Sequence, residues 1–183
     1  MLTNKNPVLR EVLDWLIHIG IAVLLGVFIV NFVAQITIVN GSSMEKTLHD
    51  GDRLIIEKIS PRFGNIKRGD IVTIDDPIKL SNDTRPIIKR VIGVEGDRVQ
   101  IRDGKVFVNG EELKEDYING DYTYEVNEQY SDVTVEKGHI YVLGDNRLMG
   151  MSKDSRTIGT ASLEYVTGKA LLRFYPFNKI GSF

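Results

Sequence analysis

The chain has 183 residues, 42% hydrophobic and 26% charged, a balance that excludes both a wholly disordered chain and a polytopic membrane protein. Lys+Arg 23 against Asp+Glu 25 gives a net charge of −2, without the basic footprint of a nucleic-acid binder. There is no cysteine, which excludes a disulfide scaffold, a thiol nucleophile and a thiolate metal site.

Apolar residues are concentrated near the start, where 19 of the 25 residues from Trp15 to Val39 are apolar. Trp15 to Val33 reads WLIHIGIAVLLGVFIVNFV, with His18 and Asn31 as the clearly polar side chains. A helix rising about 1.5 Å per residue covers about 28 Å here, close to the hydrocarbon thickness of a bilayer. This predicts a short tail over residues 1–14, a transmembrane anchor over 15–35 and a β-rich domain over 36–183. A cleavable signal peptide would have a shorter apolar region and a small-x-small exit, for which Val39-Asn40-Gly41 is a weak match. Lys5 and Arg10 precede the span while Lys46, Arg53 and Lys58 follow it, so the positive-inside count does not set its direction. His18 and Asn31, near the ends of a lone span, are expected at the interface.

After Val39 the pattern changes to short β-rich runs separated by Gly, Asp and Asn. Arg53–Lys58, Ile71–Ile74, Ile87–Val94, Val99–Arg102, Lys105–Val108, His139–Leu143 and Lys169–Tyr175 are predicted strands. Asp103-Gly104 joins the alternating runs VQIR and KVFV, a hairpin signal because both residues tolerate the positive φ of a type I′ turn. The polar stretch Glu111–Lys137 reads as a long solvated loop or insertion with room for one hairpin. No internal repeat or Pro/Ser-rich linker separates a second domain.

Three segments pack polar side chains between Gly and apolar positions: Gly41–Asp52, Ile87–Asp97 and Gly144–Arg156. Each taken singly is explained by turn chemistry, and Ser42 or Ser43 could cap the helical turn suggested by Met44–Leu48. The inventory of bases narrows the chemistry. Of the three histidines, His18 lies in the span, and His49 and His139 are flanked by turn residues without a partner motif, which disfavours a Ser-His-Asp triad. A Ser-Lys pair is the alternative. A lysine with a reference pKa of about 10.4 needs burial to act as a base near neutrality. Lys89 meets that need best, inside the aliphatic run Ile87-Ile88-Lys89-Arg90-Val91-Ile92. Strand neighbours point to opposite faces, so either one of Lys89 and Arg90 points inward or the strand is exposed on both sides.

These segments resemble the boxes of type I signal peptidases, membrane-anchored Ser-Lys endopeptidases that remove signal peptides from exported proteins. Gly41-Ser42-Ser43-Met44-Glu45-Lys46-Thr47-Leu48 looks like the nucleophile box, and Lys67-Arg68-Gly69-Asp70-Ile71-Val72 like the strand that follows it. Lys89-Arg90-Val91-Ile92-Gly93-Val94-Glu95-Gly96-Asp97 looks like the general-base box. Gly144-Asp145-Asn146-Arg147 and Ser152-Lys153-Asp154-Ser155-Arg156 look like the two halves of the last box. The likeness runs from the anchor to Arg173-Phe174-Tyr175-Pro176-Phe177, nearly the whole chain. Three features depart from the pattern. Lys46 stands where Pro is usual, Leu148-Met149-Gly150-Met151 makes the last box two residues longer, and Gly41 takes the position where some members carry an oxyanion-hole hydroxyl. Gly there is usual in the smaller branch typical of Gram-positive bacteria.

The resemblance implies a mainly β fold, a β-barrel or β-sheet catalytic domain with one N-terminal transmembrane helix. It implies Ser43 as nucleophile, Lys89 as base, Ser152 orienting the amine, and the Ser43 N–H as oxyanion donor beside Gly41. Asp145, Arg147, Asp154 and Arg156 would brace the loops as ion pairs, and Val39, Met44, Leu48 and Ile88 would line shallow pockets for small residues at −1 and −3. The expected partners are signal peptides of preproteins and the lipid bilayer, with no nucleic acid, no metal and no cofactor. A monomer is expected, held in the plasma membrane by a single pass with its catalytic domain on the extracytoplasmic face. Ten residues separate Val33 from Ser43, a reach of at most about 36 Å, which keeps the nucleophile near the bilayer surface. Two other readings use the same boxes: a catalytically silent anchored homologue that binds signal peptides or export machinery, and a self-cleaving repressor-type Ser-Lys protease.

Overall fold

The computed structural model describes residues 7–75 and 86–183. Lys5 and the rest of the tail up to residue 6 lie outside the described residues. Helix α1 (Pro7–Phe28) continues into one π-helical turn, Ile29–Val33, and no residue of it is buried by the rest of the chain. At about 1.5 Å per residue its 22 residues span about 33 Å, and together with Ile29–Val33 they form a helix apolar and long enough to cross a membrane.

Its bounds differ from the apolar window at both ends. The helix begins at Pro7, a favoured first helical residue. It then runs through Arg10, Glu11 and Asp14, which hydropathy alone leaves outside. At the other end, Ala34 and Gln35 belong to a strand, β1 (Ala34–Ile38), because Ile36, Thr37 and Ile38 pair with Ile55, Leu54 and Arg53.

The rest is mainly β. The remaining strands are β2 (Arg53–Glu57), β3 (Ile71–Ile74), β4 (Ile87–Val94), β5 (Arg98–Arg102), β6 (Lys105–Val108), β7 (Glu111–Glu112), β8 (Asp132–Thr134), β9 (His139–Leu143), β10 (Ala161–Ser162) and β11 (Val166–Tyr175). Two one-turn helices, α2 (Ile59–Arg62) and α3 (Ser155–Ile158), sit between them. A seven-stranded antiparallel sheet has the order β1-β2-β11-β3-β4-β9-β10, and a four-stranded sheet the order β7-β6-β5-β8. All seven runs read as strands from alternation form strands. Asp103 and Gly104 adopt φ 50° and 76°, the paired positive values of the type I′ hairpin between β5 and β6.

Glu111–Lys137 is not solvated decoration. It contributes β7 and β8 to the second sheet, and buries Thr123, Ser131 and Val135. Val135 joins Ile92, Val99, Ile101, Val106, Tyr141 and Leu143 in one core, which ties the two sheets together. A second core, with Val39, Met44, Leu48, Leu54, Ile56 and Ile88, underlies the turn that carries Ser43. Strand β4 lies inside the large sheet between β3 and β9, so six of its eight residues are buried. Lys89 and Arg90 are therefore both inward, and neither belongs to a solvated edge.

Candidate active site

The turn that carries Ser43 leaves β1 at Val39, whose N–H donates to the Asp52 carbonyl at 2.8 Å while its own carbonyl accepts from Gly51 N–H. Gly41 has φ 86°, the left-handed region that glycine reaches without strain, and its N–H donates to Asp50 Oδ1 at 2.7 Å. The next residues close a helical turn, with Thr47 and Leu48 N–H both donating to the Met44 carbonyl. Met44 and Leu48, four residues apart on one face, plug into the core at 1% and 0% exposure. Ser43 is left half-buried at the open side. Asn146 grips the same turn from across the chain: its N–H donates to the Ser43 carbonyl at 3.0 Å and its Nδ2 to the Ser42 carbonyl at 2.9 Å.

From β4, Lys89 brings its Nζ to 2.8 Å from Ser43 Oγ and donates to the Ile88 carbonyl at 2.9 Å. Only 3% of Lys89 is exposed. Burial disfavours the ammonium and lowers the pKa from 10.5 to about 8, against the opposing pull of the Asp154 and Asp145 charges. A neutral amine can then accept the Ser43 proton. The other candidate bases lie elsewhere: His49 sits beside Asp52, and His139 bonds to the Lys137 carbonyl.

Ser152 is buried beside Gly144, and its Oγ makes no well-formed hydrogen bond among the described residues, although it stands close enough to the Asp154 carboxyl to help hold that group's pKa down. It does not bond to the Lys89 amine, whose second acceptor is the Ile88 carbonyl. The longer stretch Leu148–Met151 closes its own turn, Met151 N–H to the Leu148 carbonyl, and Ser152 re-enters against Gly144. A Cβ at Gly144 would overlap both Ser152 Oγ and the Ser43 carbonyl oxygen, so this position requires a glycine for space.

Asp145, Arg147, Asp154 and Arg156 of the last box are buried, with different partners from one another. Asp145 takes a two-pronged contact from Arg90, Nε at 2.9 Å and Nη2 at 2.7 Å, and accepts from Thr47 Oγ1. It thereby joins the strand of Lys89 to the turn of Ser43. Arg147 turns instead to Glu115 and Thr123 of the insertion. Asp154 and Arg156 pair with each other at 2.8 Å. Burial raises the Asp154 carboxyl, but the Arg156 bond and charge and the Gly144 N–H hold it below its usual range. The Arg90 guanidinium lies 4.0 Å from the Tyr117 ring centre, a further contact from the insertion.

A cleft of about 340 Å³ opens over the pair, lined by Val39, Asn40, Gly41, Met44, Ile87 and Ile88 around Ser43 and Lys89. Leu48 is not on its wall; its contacts put it wholly in the core below. Residues to which sequence reasoning gave no role are Thr47, Arg90, Gly144 and Asn146, all within quoted boxes, and Glu115 and Thr123, which lie outside them. The boxes pointed to the first four as a group, whereas Glu115 and Thr123 carry no local signal. No group of three or more His, Asp or Glu among the described residues is placed to hold a metal ion.

Comparison with known proteins places this chain in a family. The model of the signal peptidase family, peptidase S26, matches residues 12–175. A probable signal peptidase I-2 from Synechocystis sp. is 43% identical over 162 residues, covering 87% of this chain and 72% of that protein. Signal peptidase I from Bacillus licheniformis is 36% identical over 185 residues, covering 97% and 95%. Signal peptidase IB from Staphylococcus aureus is 33% identical over 184 residues, covering 93% of each. With most of its length matched by the family and by full-length relatives, the chain belongs to the signal peptidases of family S26, serine endopeptidases that cleave signal peptides.

Proposed function

We propose that Ser43 and Lys89 form the catalytic dyad, on the strength of one observation: a buried lysine amine lies 2.8 Å from a serine hydroxyl at the floor of an open cleft. Neutral Lys89 takes the proton from Ser43 Oγ as that oxygen bonds to the scissile carbonyl carbon. The resulting ammonium returns the proton to the leaving amine as the C–N bond breaks, which leaves an acyl-enzyme. Water then attacks the acyl carbon with Lys89 again accepting the proton, and collapse restores Ser43. The Ser43 N–H is the oxyanion donor, with no side-chain hydroxyl available from Gly41. Asn146 supports that role by fixing the carbonyls of Ser42 and Ser43, which sets the direction of the backbone around Oγ. Asp145, Arg147, Asp154 and Arg156 act as positioning residues through their partners.

An extended peptide enters the cleft between Val39-Asn40-Gly41 on one wall and Ile87-Ile88 on the other, where backbone pairing and shallow apolar walls favour small residues at −1 and −3. Buried Val39, Met44 and Ile88 leave little depth for a large side chain. Helix α1 holds the protein in the plasma membrane by a single pass, with the β-rich domain on the extracytoplasmic face. In support, α1 is apolar and unburied, and the neighbouring surface exposes Ile36, Ile38, Ile59 and Phe63. The residues through 35 serve as anchor and junction, and those from 36 onward as the protease domain.

The test is cleavage of an exported precursor by the purified full chain in detergent. Wild type is expected to release the mature product, and Ser43→Ala and Lys89→Ala are each expected to lower kcat by about a thousandfold or more. A variant that retains wild-type turnover removes its residue from the dyad, and a wild type without turnover would favour a silent homologue.

A further inference from the structure

A helix end leaves about four carbonyls without intrahelical donors, and such orphans are costly near hydrocarbon. In this chain the β-rich domain satisfies all four at the end of the membrane segment. The Val30 carbonyl accepts from Lys58 Nζ at 3.0 Å, and the Val33 carbonyl from the Lys58 N–H at 2.8 Å. Between them, the Asn31 and Phe32 carbonyls accept from the two ends of the Arg62 guanidinium at 3.0 and 2.8 Å. Arg62 also lies over the Phe32 ring, 5.0 Å from its centre. Both cations sit at the negative end of the helix dipole.

The cap is held from behind. Glu57 Oε2 accepts from the N–H groups of Ile59 and Ser60 at 2.7 and 2.9 Å, which fixes the first turn of α2 and so the place of Arg62. Beyond Val33 there is no free linker. Strand β1 is paired with β2 from Ala34 to Ile38, Val39 is bonded to Asp52 and Gly51, and the chain reaches Ser43 four residues later. From the last turn of the helix to the nucleophile, each segment is tied to the domain.

We propose that Lys58 and Arg62 are positioning residues that lock the anchor to the catalytic domain, so that Ser43 stands at one height above the bilayer and cleavage is confined to substrates whose embedded apolar segment ends at that height. The inference rests on the reading of α1 as a membrane anchor. Each residue added to a helical apolar segment moves its end by about 1.5 Å, so four residues move the scissile bond by about 6 Å. A misplacement of about 1 Å already costs on the order of a hundredfold when geometry is fixed. Loss of the cap turns the Ile29–Val33 turn into a swivel that lets Ser43 follow the substrate.

The experiment reconstitutes the full chain in phosphatidylethanolamine and phosphatidylglycerol vesicles as wild type, as the K58A/R62A double variant and as R62K. Three precursors are offered, with the apolar segment native, shortened by four residues and lengthened by four, together with a soluble peptide that spans the cleavage site. Wild type is expected to favour the native precursor by about tenfold or more in kcat/KM. The double variant is expected to discriminate by less than about threefold, with soluble-peptide cleavage within about twofold of wild type. R62K keeps the charge but loses the planar fork, and is expected to fall between them. A double variant that keeps wild-type discrimination overturns the inference alone. One that also fails on the soluble peptide shows that the cap only supports the domain, which overturns the positioning role. A wild type that is washed off the vesicles at alkaline pH overturns the anchor reading and the inference with it, whereas one that stays bound yet treats the three precursors alike overturns the inference alone.

Discussion

The two sheets carry the same kind of ion pair in opposite surroundings. In the large sheet, Arg90 clasps Asp145 through Nε and Nη2, with side chains 7% and 0% exposed. In the small sheet, Arg98 clasps Asp132 through the same two nitrogens, with side chains 58% and 47% exposed. The hydrogen bonds are alike and the solvent is not. Water around Arg98 and Asp132 takes over when either is lost, whereas a lone Arg90 would be a charge stranded in the interior. Buried pairs are poor sources of net stability, so what Asp145 contributes is geometry: it holds the Thr47 hydroxyl of the Ser43 turn and the Arg90 guanidinium next to Lys89.

The largest break in that comparison is Asp145→Ala. Removing one partner of a buried pair costs about 3–5 kcal/mol. For a chain of 183 residues that lowers the unfolding midpoint by roughly 10 °C. Precursor cleavage is expected to fall with it, because Arg90 and Thr47 lose their common acceptor. Thermal unfolding of the detergent-solubilised chain checks the first effect, and a midpoint within about 2 °C of wild type would show that the pair does not carry the site.

Next is Gly144→Ala. The added methyl group meets the Ser43 carbonyl oxygen and Ser152 Oγ, and the Ser43 oxygen is already held by Asn146. A shift of the nucleophile by about 1 Å is expected to lower kcat by on the order of a hundredfold, while KM changes little. Steady-state kinetics with a soluble peptide separate the two constants. An unchanged kcat would mean that the turn gives way without moving Oγ.

What could be read from the residue order follows from the range of the interactions. The seven long strands announce themselves by alternation within four to eight residues, and the hairpin at Asp103-Gly104 by its dipeptide. Strand β1 was hidden because Ala34–Ile38 continues the apolar run of the helix, and only its pairing with β2 distinguishes it. Strands β7, β8 and β10 have two or three residues each, too few to show a period. Ser43 and Lys89 stood out through the shortage of other nucleophiles and bases and through the family boxes. The contacts that hold them did not, since Thr47 meets Asp145 across 98 positions and Asn146 meets Ser42 across 104. The Arg147 partners, Glu115 and Thr123, lie in a stretch whose polarity suggested only solvent.

The pH dependence extends the comparison to charges acting at a distance. In the proposed dyad the active form of Lys89 is the neutral amine, so kcat/KM is expected to climb about tenfold per unit as pH rises toward about 8 and to level above it. Buried Asp154 opposes that depression of the pKa by favouring the ammonium. Asp154→Asn should therefore move the rise to lower pH, whereas Asp132→Asn in the exposed pair should leave it in place. The pH profiles of kcat/KM for the three proteins decide this. A flat wild-type profile between pH 6 and 9 would count against a lysine base.

The smallest effect belongs to Arg98→Ala. Its pair with Asp132 has ideal two-pronged geometry, Nε at 2.8 Å and Nη2 at 2.6 Å, and the contact also holds the Asp132 carboxyl below its usual range. Hydrogen-bond geometry alone would rank it beside Arg90. Exposure ranks it last, because each lost bond is replaced by water and Asp132 keeps Gln100 as a donor. The unfolding midpoint and the rate of peptide cleavage are both expected to match wild type within error. A drop comparable to that of Asp145→Ala would mean that the small sheet holds the site through β5 and β8, and that burial does not separate the two classes of pair.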